Sequence, residues 1–408
     1  MKKNQKLMFA RIAQLKMKKS ISFCNKIESV PIEDCQNRII AENIYSKHNI
    51  PFQDNSAVDG YAINFCPKKN IKTFNIVGES NPGKPYNKKV KENEAISIYT
   101  GSNIKDKNNI NAVLMLEDCK ISKRKITIKT NFQIGQNIRK KGEDVKENQV
   151  VFSKGRRIRT VDLAQLLSMG KKKIKVFKKV NVGVLSTGSE INQSEKRQNY
   201  LIFDANKLTL ISMLRKIGCN AIDLGTIKDD FQDTKEKIFN SLPSCDLLIS
   251  SGGVSDSNTD MVGKILSSYG KINFWKLAIK PGRPFAFGEI KKTPFIGLPG
   301  NPVAAIVTFL MLVVDYIKVL SGNREFPDRR RYISSNFSMK KKLNRREWIR
   351  GSIINQGSKQ FLEKYKTTGS GIISSISQSE GIIEVEENVD YIKKGMKLKF
   401  LTFEDILS

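Results

Sequence analysis

The sequence predicts an α/β fold with additional β-rich domains, its middle formed by a doubly wound α/β unit. Three observations lead there. A chain of 408 residues exceeds what one hydrophobic core organises, so two to four domains follow. From Lys179 onward strand-like and helix-like runs alternate, the mark of βαβ units on a parallel sheet with helices on both faces. Beyond EFPDRRRY (325–332) the chain returns to brief β-like runs, which predicts a small C-terminal β domain.

The elements follow in order. In MKKNQKLMFARIAQLKMKK the apolar residues Met8, Phe9, Ile12 and Leu15 recur at helical spacing, predicting an amphipathic helix that buries that face. The segment lacks the unbroken apolar core of a secretory signal, so a cytoplasmic protein is expected. Residues 51–148 alternate short β runs (AISIYTG, AVLMLED) with polar turns. TVDLAQLLSMG reads as a helix ended by Gly170. Then come the strand VNVGVLSTG, the helix NKLTLISMLRKIG, the strand NAIDLG, the helix DDFQDTKEKIFNSL, the strand CDLLISSGG and the helix TDMVGKILSSYG. VAAIVTFLMLVV is too short to span a bilayer and predicts a buried helix, with Pro302 at its first position. The expected division is a helical linking domain from 1–50 and 149–178, a β-rich domain at 51–148, the α/β domain at 179–324 and the β domain at 325–408.

Composition narrows the chemistry. His48 is the only histidine, which removes mechanisms needing two imidazoles and leaves carboxylates, lysines and hydroxyls. The cysteines (24, 35, 66, 119, 219, 245) are scattered without a C-x-x-C and read as thiols in a reducing compartment. The net charge of +31 raises nucleic acid as a partner. Its lysine runs lack interleaved aromatics and any nucleic-acid module, so the charge reads as compositional bias and no such partner is expected.

In a doubly wound sheet, ligands bind beyond the carboxyl ends of the strands. SSGGVSDSNTD leaves a buried strand there. Gly252 and Gly253 let backbone N–H groups approach an anion, Ser255 adds a hydroxyl, and a helix starting near Asn258 adds its positive end. A phosphate or nucleotide cradle and a plain tight turn both satisfy this stretch. Glu190, Asp229, Asp230 and Asp260 follow strands of the same sheet, and carboxylates facing a phosphate call for a hard cation such as Mg²⁺. Asp230 reads better as a helix cap, and for Asp260 a first-turn dipole partner competes. In KLAIKPGRPFAFG, an extended run would aim Lys276 and Lys280 to one side as an anion clamp.

Nine motifs, in order over nearly the whole chain, resemble the molybdopterin molybdenumtransferases: the MoeA proteins and the matching domain of gephyrin. They are DNSAVDGYA (54–62), GESNPGKP (78–85), YTG (99–101), GQNIRKKGEDV (135–145), LSTGSEI (185–191), FDANKLTL (203–210), SSGGVSDSNTD, KLAIKPGRPFAFG (276–288) and GLPGNPVAA (297–305). The resemblance implies an elongated multidomain subunit with a MogA-like α/β domain, in a homodimer whose active site lies between subunits. It implies insertion of molybdate into adenylylated molybdopterin with release of AMP, assisted by Mg²⁺. It further implies roles for Asp59, Thr100, Asp144, Glu190, Asp229 and Asp260 in catalysis, with Glu190, Asp229 and Asp260 holding the metal. Lys276, Lys280, Arg350 and Ser370 would receive molybdate, and Gly252, Gly253 and Ser255 the nucleotide. The adenylyltransferase of the preceding step and recipient molybdoenzymes are the implied partners, and no membrane is. The chain departs from the family pattern at Val58, Asn111, Ser257, Arg283 and Ala304. A molybdopterin adenylyltransferase and a non-enzymatic scaffold or nucleic-acid binder are the rival readings.

Overall fold

The structure is a computed structural model and describes residues 7–21, 26–69, 71–192, 196, 200–254, 260–367 and 369–408. Helix α1 (Ala10–Lys19) does not bury the expected face. Ala10, Ala13 and Met17 enter the core, while Ile12 and Leu15 are 45% and 52% exposed. That face packs against the apolar helix near the end of the α/β unit, within the largest core.

Strand Ile27–Pro31 pairs antiparallel with Lys173–Phe177, and Ile44–Tyr45 with Val150–Phe152. Segments distant in sequence thus share one small core, which includes Val30, Ile40, Phe152 and Leu166, the last from helix α2 (Asp162–Ser168). Between them a six-stranded mixed sheet runs in the order Ala112–Met115, Gly60–Ile63, Glu94–Ile98, Thr73–Ser80, Lys125–Ile128, Cys119–Ser122.

The α/β unit contains strands β1 (Asn181–Thr187), β2 (Asn220–Ile227), β3 (Leu247–Ser251), β4 (Gly270–Trp275), β5 (Ala286–Ile290) and β6 (Thr293–Leu298). Their order is β2-β1-β3-β6-β5-β4; the first four are parallel and the β6-β5-β4 edge is antiparallel. Helices α3 (Lys207–Lys216), α4 (Phe231–Ser241) and α5 (Met261–Tyr269) connect them. Asp230 caps α4, accepting from the Asp233 N–H at 2.8 Å. Helix α6 (Pro302–Leu320) has Pro302 at its start and a π-helical stretch at Phe309–Val313. It is longer than the apolar run in the sequence implies, and long and apolar enough to cross a membrane, yet 83% of its most apolar window is buried inside the protein. It is the central helix of the largest core, which also takes Trp348 and Ile382 from the C-terminal domain.

That domain closes on itself. Strands Arg346–Gln356, Lys359–Lys364, Arg331–Ser335, Lys397–Thr402 and Gly381–Val385 pair in a ring, because Arg346–Gln356 also pairs with Gly381–Val385. Closure removes the free sheet edges. The two-residue strand Ile279–Lys280, from the α/β unit, adds in parallel to Arg346–Gln356 with Lys280 opposite Glu347.

Candidate active site

The parallel strands β1, β2, β3 and β6 all end on one edge, and their loops interlock. Gly252 has φ +88°, and a Cβ there would stand 2.7 Å from the Thr187 carbonyl oxygen. Gly253 has φ +72°, and its Cβ would stand 2.8 Å from Thr187 Oγ1 and 2.5 Å from Val262. Only glycine allows this packing and this backbone. Ser255 and Ser257 lie outside the described residues. Asn206, buried before α3, ties two loops together: its amide donates to Ser251 Oγ and to the Gly300 carbonyl, both at 2.8 Å. It is a site residue that the reading of single loops missed, although it lies within the motif FDANKLTL. Trp275 does similar work from the far edge, its Nε1 donating to the Val254 carbonyl at 3.1 Å.

The carboxylates line this rim unequally. Asp229 Oδ2 accepts from the Ser189 N–H at 3.2 Å and the Asp229 N–H donates to Ser189 Oγ at 3.1 Å, clasping the ends of β1 and β2. Glu190 is exposed one residue further on. Asp260 is 7% exposed and occupies the position before α5, where its side chain makes no capping bond. Among the described residues, no group of three His, Cys, Asp or Glu side chains is placed to hold a metal ion. Glu190, Asp229 and Asp260 share the rim without forming a ready-made cage.

The basic residues divide. Lys276 sits at φ +66°, so the run 276–280 is not one extended strand and does not aim its two lysines to one side. The left-handed residue ends β4 and lets the chain turn to join the barrel at Ile279–Lys280. Lys280 Nζ then lies 3.8 Å from the carboxylate of Glu347, itself 3% exposed. Arg350 is 3% exposed, and its donors go to neutral acceptors: Nε to Ser375 Oγ and Nη2 to the Gly369 carbonyl, both at 3.1 Å. No carboxylate pairs with it among the described residues, and burial pushes its guanidinium below the ordinary arginine value. Ser370 follows directly, and its carbonyl accepts from the Val303 N–H at 3.2 Å, at the start of α6. The structure therefore brings Arg350, the 369–370 turn and the α6 N-terminus together.

In the β-rich domain, Gly60 pairs with Ile98 across antiparallel strands, which sets Asp59 beside Thr100. Asp54 accepts from Lys140 Nζ and the Lys141 N–H, both at 2.8 Å, fixing the loop that carries the exposed Asp144 to the DNSAVDG turn. None of Asp59, Thr100 and Asp144 makes a hydrogen bond or ion pair to the α/β rim among the described residues.

Comparison with known proteins accounts for all three parts. Residues 4–170 match the MoeA N-terminal region (domain I and II), 183–319 a probable molybdopterin binding domain, and 334–403 the MoeA C-terminal region (domain IV). The molybdopterin molybdenumtransferase of Haemophilus influenzae is 34% identical over 97% of this chain and 98% of its own. The chain belongs to the MoeA family of molybdopterin molybdenumtransferases. A putative molybdopterin biosynthesis protein of Methanocaldococcus jannaschii is 30% identical over 97% of this chain and 96% of its own. The crystal structure of a MoeA protein from Pyrococcus horikoshii superposes with a TM-score of 0.85 at 27% identity, covering 98% of this chain and all of that one. The MoeA reaction is the insertion of molybdenum into molybdopterin, and this chain is such a transferase. Its α/β unit is the MogA-like part of the fold.

Proposed function

We propose that this MoeA protein takes adenylylated molybdopterin and molybdate, releases AMP and yields molybdenum cofactor. Buried Arg350 carries the reading. Its guanidinium, so far from water and with neutral oxygens as its acceptors among the described residues, is suited to receive an oxyanion. Lys276, Lys280 and Ser370 complete the molybdate set, and Glu347 restrains Lys280 from behind. Gly252, Gly253 and Ser255 take the nucleotide phosphates.

Mg²⁺ suits the rim, whose donors are all oxygens. Mg²⁺ is usually held by one or two carboxylates plus substrate phosphates and water, so it does not require a three-carboxylate cage. Glu190, Asp229 and Asp260 would hold it, and when bound it would neutralise charge on the phosphoanhydride as that bond breaks. Asp59, Thr100 and Asp144 make no polar contact to the rim of their own chain among the described residues, which supports a homodimer whose partner supplies them. The MogA-like adenylyltransferase and recipient molybdoenzymes are its proposed partners and the cytoplasm its compartment.

The test is molybdate-dependent AMP release from adenylylated molybdopterin by the wild type and by Asp260→Ala, with and without a Mg²⁺ chelator. Release abolished by the substitution and by chelation is expected. Release that ignores molybdate sinks the reading. ATP-dependent adenylylation instead would assign the preceding step.

A further inference from the structure

Trp275 ends β4 and is half-buried, yet its indole reaches across to the glycine loop. Nε1 donates to the Val254 carbonyl at 3.1 Å, 21 positions away in the chain. The far end of the ring lies against helix α5, where a Cβ at Gly263 would stand 2.3 Å from Trp275 Cη2. The space beside Gly263 is taken by the indole, which packs on the core that includes Val254, Val262 and Leu266.

Two successive carbonyls of the loop are therefore held by the protein. That of Gly253 accepts from the Gly263 N–H at 3.0 Å, and that of Val254 from Trp275. In a trans peptide unit the C=O and N–H point in opposite directions. With the Gly253 carbonyl bound to α5, the Val254 N–H faces away from that helix, and it donates to nothing among the described residues. Such an N–H, following two left-handed glycines, is a donor for an anion, whereas a carbonyl swung to the same side would repel one.

Given a glycine loop that takes the nucleotide, as proposed, we infer that Trp275 is a positioning residue for it. The indole N–H draws the Val254 carbonyl inward and so keeps the loop's N–H groups turned toward the phosphates. Trp275 also directly precedes Lys276, but the turn there is fixed separately, by the Lys276 N–H donating to the Phe285 carbonyl at 3.0 Å. A change in the indole should therefore reach the nucleotide and spare molybdate.

The ring reports on its own contact. The chain has two tryptophans, and the other, Trp348, is 1% exposed in the largest core. AMP with Mg²⁺ should change the wild-type tryptophan emission, and Trp275→Phe, which keeps an aromatic ring and loses the donor, should abolish that change. By calorimetry the same variant should bind AMP about tenfold more weakly, because an acceptor is left unpaired. Its molybdate KM at saturating adenylylated molybdopterin should stay at the wild-type value. Gly263→Ala should displace an unaltered indole and weaken AMP binding to a similar degree. The two substitutions together should weaken it no further than either alone, since both break one contact. Equal AMP affinity in wild type and Trp275→Phe overturns the proposal, as does bound AMP that leaves the wild-type emission unmoved. An additive double variant overturns it too, and so does a molybdate KM that rises in step with the AMP dissociation constant, the mark of general loosening. A wild type that ignores AMP removes the nucleotide reading and this proposal with it.

Discussion

Asp59 Oδ1 accepts two hydrogen bonds from Thr100, one from its backbone N–H and one from its hydroxyl, each at 2.7 Å. These bonds hold the carboxyl below the ordinary aspartate value, the backbone bond contributing most. The group is exposed. If a partner subunit completes the site, Asp59→Ala and Asp260→Ala should each be nearly inactive as homodimers. Mixing them should recover up to about a quarter of wild-type activity, the statistical share for one intact site among four combinations. Activity assays on remixed subunits check this; no recovery in verified heterodimers would mean that each site draws both residues from one subunit.

Arg350 makes a second prediction. A buried cation with no anion is held at a cost in stability, so Arg350→Met should keep or raise the melting temperature. The same variant should raise the molybdate KM at least tenfold, because a charge-assisted contact is gone. Calorimetry and molybdate titration read the two effects separately.

Gly252→Ala tests the cradle. The substituted residue would have to hold φ +88° with its Cβ 2.7 Å from the Thr187 carbonyl oxygen. A loss of about 1–3 kcal/mol in denaturant unfolding is expected, because left-handed strain and a backbone clash combine. Substrate binding should fall more steeply than stability, since the loop shifts away from β1.

Asp162 supplies a pH dependence. Burial works against its ionisation, but hydrogen bonds from Arg159 and the charges of Arg156 and Arg159 overcome it, so its carboxyl titrates below the ordinary value. A lowered folded value means stabilisation that is full above the unfolded pKa and lost as pH falls through the folded one. Asp162→Asn should therefore lower stability at neutral pH and flatten its decline below about pH 4, a window set by the unfolded carboxylate value. Parallel unfolding curves for both proteins at neutral and acid pH check this; equal slopes would refute it.

Much of this was legible in the sequence. The helices α3, α4 and α5 and the cap at Asp230 follow from periodicity and capping chemistry, which act within a few residues. The glycine loops were legible because only glycine tolerates their geometry. What was hidden depends on distant partners. The buried face of α1 is chosen by α6, nearly 300 residues away, and favours Ala10 and Ala13 over Ile12 and Leu15. The break at Lys276 was equally hidden, because a lysine at φ +66° carries no local mark. Arg350 stood out only through family resemblance; its burial without a carboxylate emerges from barrel closure. Asn206 was overlooked because its two partners lie in loops that only the folded sheet brings together.

The Gln14 amide reaches the Met311 carbonyl at 3.0 Å across a separation of 297 positions in the chain. A ribosome therefore delivers α1 long before it delivers the surface that α1 covers. Synthesis at about 5–20 residues per second leaves that helix without its berth for tens of seconds. The opening segment of this protein is consequently among the last to settle, and a nascent chain halted before α6 should expose it to protease.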